Sequence, residues 1–155
     1  MTDPIRGDLD AANLRIAIVR SLFNRPVTDG LLSGALDMLA EAGGRADTIV
    51  DVEGAFEAPL VAQRLAGEGF DAVIALGAVV RGETDHYEHI ATCTAEGLMR
   101  VALDTGIPVS FGILTVTDPA QAFARSGPDE GNKGREAAAA AIRTANALKQ
   151  LTSSR

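Results

Sequence analysis

Ala72-Val-Ile-Ala-Leu-Gly-Ala-Val-Val80 is an unbroken apolar run that ends abruptly at Arg81-Gly-Glu-Thr-Asp-His86-Tyr87. An apolar run without polar alternation reads as a strand covered on both faces, the habit of parallel sheets. Helical spacing follows it. Ile90, Cys93, Thr94, Gly97, Leu98 and Val101 share one face of a helix expected over His86–Asp104, with Thr84 or Asp85 as N-cap and Gly106 past its end. Working outward, Arg15–Ser21 and Pro108–Leu114 are largely apolar as well, and Ala46–Asp51 is a fourth short run. Between them, Leu31, Leu32, Ala35, Leu36 and Leu39 form a stripe ended by Gly43-Gly44, and Pro59–Leu65 forms a shorter helix. A short helix is expected over Asp118–Ala124 and an Ala-rich one over Asn132–Leu151. Strands alternating with helices predict right-handed βαβ units and an α/β fold, a three-layer αβα sandwich around a parallel sheet. Residues 1–12 read as a flexible N-terminal arm and 13–155 as a single domain.

Composition narrows the function classes. The chain has 155 residues, 46% hydrophobic and 23% charged, with Lys+Arg 14 against Asp+Glu 21, so the formal charge is −7. That length suits one domain. An acidic balance argues against a non-specific nucleic-acid binder or a protein held on an anionic membrane, both of which need a basic face. No apolar run approaches the ~20 residues that cross a bilayer, and the polar start lacks a signal core, so a cytoplasmic protein is expected. The single cysteine, Cys93, has no partner within the chain and reads as a small packing residue. Aromatic residues are only 4%, so a phenylalanine in a polar loop needs an explanation.

In parallel sheets, ligands bind where strand carboxyl ends lead into helix N-termini. That points to Leu22–Thr28, Val52–Pro59, Ala78–Tyr87 and Thr115–Asp118, and the glycine-rich stretch Arg125–Gly134 joins them. Gly82, Glu83 and Thr84 offer backbone N–H groups at a helix start, a natural anion cradle. His86 in the same turn suits proton transfer near neutral pH; the plainer reading is a solvent-facing histidine. His86 and His89 share a helix face, but two ligands are too few for a metal site, and His89 reads as a half-buried packing residue. Arg125 and Lys133 suit phosphate oxygens, although Gly134 after Lys133 breaks the order of a P-loop, and a solvated turn is the alternative. Phe23 ends the first strand, where it either stacks on a flat ring or plugs the core. Phe56 and Glu57 beside Gly54 suit a polar ring with a hydroxylated tail. Taken alone, these residues give a planar-ring site, an anion site and one histidine, and they leave the reaction open.

Five segments in register resemble the lumazine synthase family: Phe23-Asn24, Gly54-Ala-Phe-Glu-Ala-Pro59, Ala75–Tyr87, Phe111–Thr115, and Arg125-Ser-Gly with Gly131-Asn-Lys-Gly134. The resemblance spans Arg15 to about Leu151. It implies a flavodoxin-like four-stranded parallel sheet and a transferase of riboflavin biosynthesis. That enzyme condenses 5-amino-6-(D-ribitylamino)uracil with 3,4-dihydroxy-2-butanone 4-phosphate to 6,7-dimethyl-8-ribityllumazine, releasing phosphate and water, with no metal or organic cofactor. It further implies that Phe23 stacks on the pyrimidine, that Ala55, Phe56 and Glu57 hold ring and ribityl chain, and that Ala78, Val79 and Val80 line the other side. Phe111 would come from a neighbouring subunit. Glu83 and Thr84, with a neighbour's Arg125, would bind the phosphate, Lys133 would approach the uracil, and His86 would shuttle protons. Asn24 and Glu136 would support, Glu136 by orienting the imidazole.

The same resemblance implies a homo-oligomer whose sites lie between subunits of a pentamer. The short loop Ser126–Glu130 leans toward the sixty-subunit icosahedral shell, with riboflavin synthase as a further partner. Val52-Glu53-Gly54 departs from the family's more usual Val-Pro-Gly, and Ala78 stands where relatives often carry a hydroxyl. The rival reading is a non-catalytic flavin- or lumazine-binding or shell-forming protein on the same scaffold.

Overall fold

The computed structural model describes residues 2–153. Its elements run β1 (Ile16–Ser21), α1 (Arg25–Glu41), β2 (Thr48–Val52), a 3-10 turn (Ala55–Glu57), α2 (Ala58–Ala66), β3 (Ala72–Val80), α3 (His86–Thr105), β4 (Val109–Val116), α4 (Pro119–Ala124) and α5 (Lys133–Ser153). The four strands are all parallel in the order β2-β1-β3-β4. This is the α/β sandwich that the alternation of runs predicts, because each parallel neighbour requires a crossover helix. It has the flavodoxin-like four-stranded form that the family resemblance implies.

Alternate residues of the central strands feed two cores. Ile16, Ile18, Ile74 and Leu76 meet Leu31 and Leu39 of α1 and Ala138 and Ile142 of α5 on one face. Ala17, Val19, Val73 and Ala75 meet Ala62 and Leu65 of α2 and Leu98 and Val101 of α3 on the other. The α1–α5 side is packed closely enough that a Cβ at Gly134 would overlap the Leu31 carbonyl.

Of the runs expected to be covered on both faces, the one that forms edge strand β4 is not, and the other edge strand, β2, is likewise covered on one face. On β2 the burial alternates, and Ile49 is exposed; on β4, Phe111 and Thr115 are exposed although the run is apolar. Each of these strands has a neighbour on one side only. Apolar sequence therefore marks what a strand can bury, not how much cover one chain provides. On α3 two more expectations fail. Cys93 is exposed, one step round the helix from buried Thr94, because a narrow stripe of Thr94, Leu98 and Val101 suffices to cover α2. His89 is also exposed, its Nε2 lying 3.5 Å from Asp85 one turn earlier.

Residues 2–6 of the expected arm are exposed, while 7–11 dock on the body. Arg143 Nη1 donates to the Gly7 carbonyl at 3.1 Å, and Asn146 Nδ2 donates to those of Asp8 and Asp10 at 2.7 and 2.8 Å. Ala11 is buried, its N–H bonded to Ala42 O at 2.8 Å. Met1 of the arm, and Ser154 and Arg155 at the far end of the 13–155 unit, lie outside the described residues. Among the described residues no helix is long and apolar enough to cross a membrane.

Candidate active site

The carboxyl ends of β1, β2 and β3 open on one cleft of about 500 Å³. The ladder between β1 and β2 continues past the strands, with Leu22 N–H donating to Val52 O at 2.8 Å and Phe23 N–H to Glu53 O at 3.2 Å. That tether sets Phe23 beside the turn that follows β2. Asn24 then enters α1 with φ 60°, a left-handed conformation that asparagine tolerates better than most residues. Its carbonyl accepts from Val27 and Thr28, so it shapes the turn under Phe23 through its backbone.

Beneath this corner lies a buried charge. Arg20 is 4% exposed, and its guanidinium donates to Asp51 through Nε at 2.9 Å and Nη2 at 3.2 Å, and to Asp29 through Nη1 at 2.5 Å. The fork matches the carboxylate geometry of Asp51 bidentately. It holds the Asp51 carboxyl below the usual carboxylate range, chiefly by hydrogen bonding. Arg20 thus joins the end of β1 to the end of β2 and the start of α1, the three elements that carry Phe23 and the 53–57 turn.

The cleft itself is lined by Phe23, Ala55, Phe56 and Glu57 on one side and by Ala78, Val79 and Val80 on the other, with Thr84 and His86 at the start of α3. Phe23 is 62% exposed and Phe56 57%, so two aromatic rings stand bare at the mouth. The rule that large apolar groups go inside is broken at both, which is the expected signature of surface kept for a ligand or partner. Ala78 and Val79 are buried, and with Val80 they give the cleft an apolar side. At the α3 N-terminus, Thr84 Oγ1 accepts from His86 N–H at 3.3 Å. Gly82 has open space where a Cβ would stand, so an anion can approach the backbone there. Glu83 is exposed and lies just outside the lining.

Four expected residues lie apart from this cleft within one chain. Phe111 faces out from β4, and Arg125, Lys133 and Glu136 belong to the end of α4 and the start of α5. Arg125 is exposed and donates from Nη1 to Gln121 O at 3.0 Å. Lys133 N–H donates to Arg125 O at 2.8 Å, which sets the two cationic residues at the base of one loop. Lys133 Nζ lies 3.2 Å from Glu136 Oε1, so in the single chain this carboxylate is occupied by the lysine.

Two lining residues, Tyr87 and Ile90, escaped the sequence reading. Their signal was available in part: Ile90 is four residues after His86 and three after Tyr87, so on a helix it neighbours both. Glu53 also lines the cleft, adding a second carboxylate beside Glu57 where the departure from Val-Pro-Gly occurs.

The arrangement can clamp a flat ring between Phe23 and the apolar Ala78–Val80 side, with donors and an imidazole at one end. A family model described as 6,7-dimethyl-8-ribityllumazine synthase matches residues 13–149. The chain is 46% identical over 150 residues to a protein of that name from Nitratidesulfovibrio vulgaris strain Miyazaki F, covering 95% of this chain and 96% of the relative. It is 45% identical over the same span and shares to the same-named protein of N. vulgaris strain DP4. The chain belongs to the 6,7-dimethyl-8-ribityllumazine synthase family, transferases of riboflavin biosynthesis.

Proposed function

We propose that this chain joins 5-amino-6-(D-ribitylamino)uracil to 3,4-dihydroxy-2-butanone 4-phosphate, yielding 6,7-dimethyl-8-ribityllumazine, inorganic phosphate and water. The observation that carries this reading is the single cleft that exposed Phe23 shares with Ala78, Val79, Val80 and with His86 at a helix N-terminus. The pyrimidine stacks on Phe23 against Ala78, Val79 and Val80, while Phe56 and Glu57 meet the ribityl chain and Ala55 supports the turn. The phosphate sits at the α3 N-terminus by Glu83 and Thr84.

The chemistry then needs little beyond positioning and proton transfer. The primary amine of the uracil attacks the ketone, and water leaves as the imine forms. A proton is lost next to the imine, the C–O bond to phosphate breaks, and phosphate departs with its electron pair. After the resulting enol becomes a ketone, the ribityl-bearing nitrogen closes the second ring with loss of another water. His86 takes and returns protons in these steps, and the α3 N–H groups stabilise the leaving anion.

Arg125, Lys133 and Phe111 lie off the cleft in one chain, so we assign them to the site of an adjacent copy, with Arg125 on the phosphate, Lys133 on the uracil and Phe111 over the ring. Glu136 travels with Lys133 and orients the partner site's imidazole once the lysine turns to substrate. A pentamer supplies such contacts, and the short Ser126–Glu130 loop favours closure of pentamers into a sixty-subunit shell. Mixing the purified protein with both substrates tests the reaction: lumazine fluorescence should appear together with one phosphate per product. Tight binding of the ring without turnover would instead identify a carrier. Native mass measurement tests the assembly, and a chain that stays monomeric at working concentration would remove the shared site.

A further inference from the structure

We infer that Asn132 is the positioning residue of the cation-bearing loop, holding Arg125 and Lys133 in register through one buried side-chain amide seated on α1. The inference rests on the proposed roles of those two cations. Asn132 is 2% exposed, and its side chain uses both donors and accepts one hydrogen bond. Nδ2 donates to Gly30 O of α1 at 2.9 Å and to Gly127 O of the loop at 2.8 Å, while Oδ1 accepts from Arg135 N–H at 2.9 Å in the first turn of α5. One amide therefore ties three pieces of chain together: the α1 backbone, the middle of the loop and the start of α5.

The slot it occupies is made by glycine. Gly30 and Gly34 are one turn apart on α1; a Cβ at Gly34 would overlap the Asn132 side chain, and one at Gly30 would overlap the Ser126 carbonyl. Ser126 is itself fixed by its Oγ, which donates to Ala122 O at 2.9 Å. Within the rest of the loop, Gly131 N–H donates to Asp129 Oδ1 at 2.8 Å and Asn132 N–H to Asp129 O at 3.1 Å. Arg135, 18% exposed, forks onto both carboxylate oxygens of Glu41 and so ties the start of α5 to the end of α1. Its single contact to Glu130, 90% exposed, constrains the loop weakly. Arg125 and Lys133 stand at the two ends of the segment that Asn132 pins, and the Lys133 N–H to Arg125 O bond closes it.

Asn132→Asp separates capping from clamping. The carboxylate retains an acceptor for Arg135 N–H at the helix start, where negative charge is favoured, but faces two carbonyls with no donor. Asn132→Ala removes both functions, and Gly34→Ala disturbs the amide without changing it. In the assembled enzyme, Asn132→Asp and Gly34→Ala should each lower kcat/KM for the butanone phosphate by about ten- to a hundredfold, the order expected for a displaced binding group. They should weaken competitive inhibition by inorganic phosphate in parallel. Combined with Arg125→Ala, Asn132→Asp should add no further loss of phosphate affinity, because it acts through that arginine. A lowered melting temperature with unchanged phosphate inhibition in both folded variants would overturn the inference, as would full additivity with Arg125→Ala. If Arg125→Ala and Lys133→Ala themselves leave the kinetics at wild type, it is the assignment of the cations that fails.

Discussion

On the proposed function, the cleft under Phe23 and the loop between Arg125 and Lys133 both place groups on a ligand, and they are built by different means. The cleft is built where strands stop. Its register is inherited from the β-ladders, and a one-residue slip of β3 against β4 would turn Ala78 and Val80, paired with Leu114 and Val116, to the opposite face. The loop has no ladder. Its placement comes from one buried amide, a glycine slot and the close seat of α5 on α1. The cleft offers apolar surface and a histidine, and the loop offers charge. Neither is a complete site for a phosphorylated substrate and a flat ring. Precision taken from the sheet is shared by everything on it, whereas precision taken from a side chain can be lost by changing one residue.

Removing His86 should give the largest effect and isolate the chemistry of the cleft. His86→Ala should lower kcat by about a hundredfold or more, within the range for a positioned acid–base group, without abolishing turnover. Binding of a ring analogue should be nearly unchanged, since stacking belongs to Phe23 and the apolar side. A variant with wild-type kcat would strip His86 of its role.

Arg125→Ala tests the other region. Charge-assisted hydrogen bonds contribute about 1.5–3 kcal/mol, so the KM for the phosphorylated substrate should rise by roughly ten- to a hundredfold. Affinity for the aminouracil should stay within about twofold, because nothing in the ring cleft depends on that residue. Equal loss for both substrates would mean that the loop supports the assembly more than the phosphate. Phe23→Ala is the complement with a smaller expected effect. Losing one aromatic stack worth about 0.5–1.5 kcal/mol should weaken ring binding by a few- to about tenfold and leave phosphate inhibition alone.

The two regions also differ in how far they could be read from residues alone. The parallel sheet, the α3 start and a site at the strand ends follow from local pattern: an apolar run, a glycine, then a capped helix. The stretch Ala72–Tyr87 carries all three and places Ala78, Val79, Val80, Thr84 and His86 on one cleft. Ala78, Val79 and Val80 as ring contacts, by contrast, are implied by the family resemblance alone. What pattern cannot carry is which surfaces one chain leaves bare. Phe111 looks like core by composition, yet it is 38% exposed because β4 is an edge strand. Cys93 likewise sits at the margin of an apolar stripe, where a shift of one helical step decides burial. Asn132 was visible as part of Gly-Asn-Lys-Gly, but its three partners lie on segments up to about a hundred residues apart in sequence, and only the fold brings them together.

The smallest effect concerns the foundation of the cleft, and its sign follows from Arg20. Burying a guanidinium is tolerated here because Asp51 and Asp29 both accept from it. The hydrogen bond from Arg20 lowers the Asp51 pKa from its ordinary 3.8 in the folded chain. Protons therefore bind the unfolded state more readily. The stabilisation is fully present above the unfolded value, that is above about pH 4, and is lost as the pH falls through the lower folded value. At neutral pH, Asp51→Asn should cost only about 1 kcal/mol, since Asp51 is 42% exposed and water screens the pair, and Asp29 remains to hold Arg20. Below about pH 4, the difference between Asp51→Asn and the parent should shrink, because the parent's carboxylate is then being neutralised as well. The cleft should register the same change through Phe23, whose ring-binding affinity should weaken slightly in Asp51→Asn while phosphate inhibition at the distant loop holds. Denaturant midpoints that stay separated by the same amount down to pH 2 would show that the pair contributes by shape and not by charge. An equal loss at the loop would show that the corner under Phe23 and the clamp on α1 move as one unit.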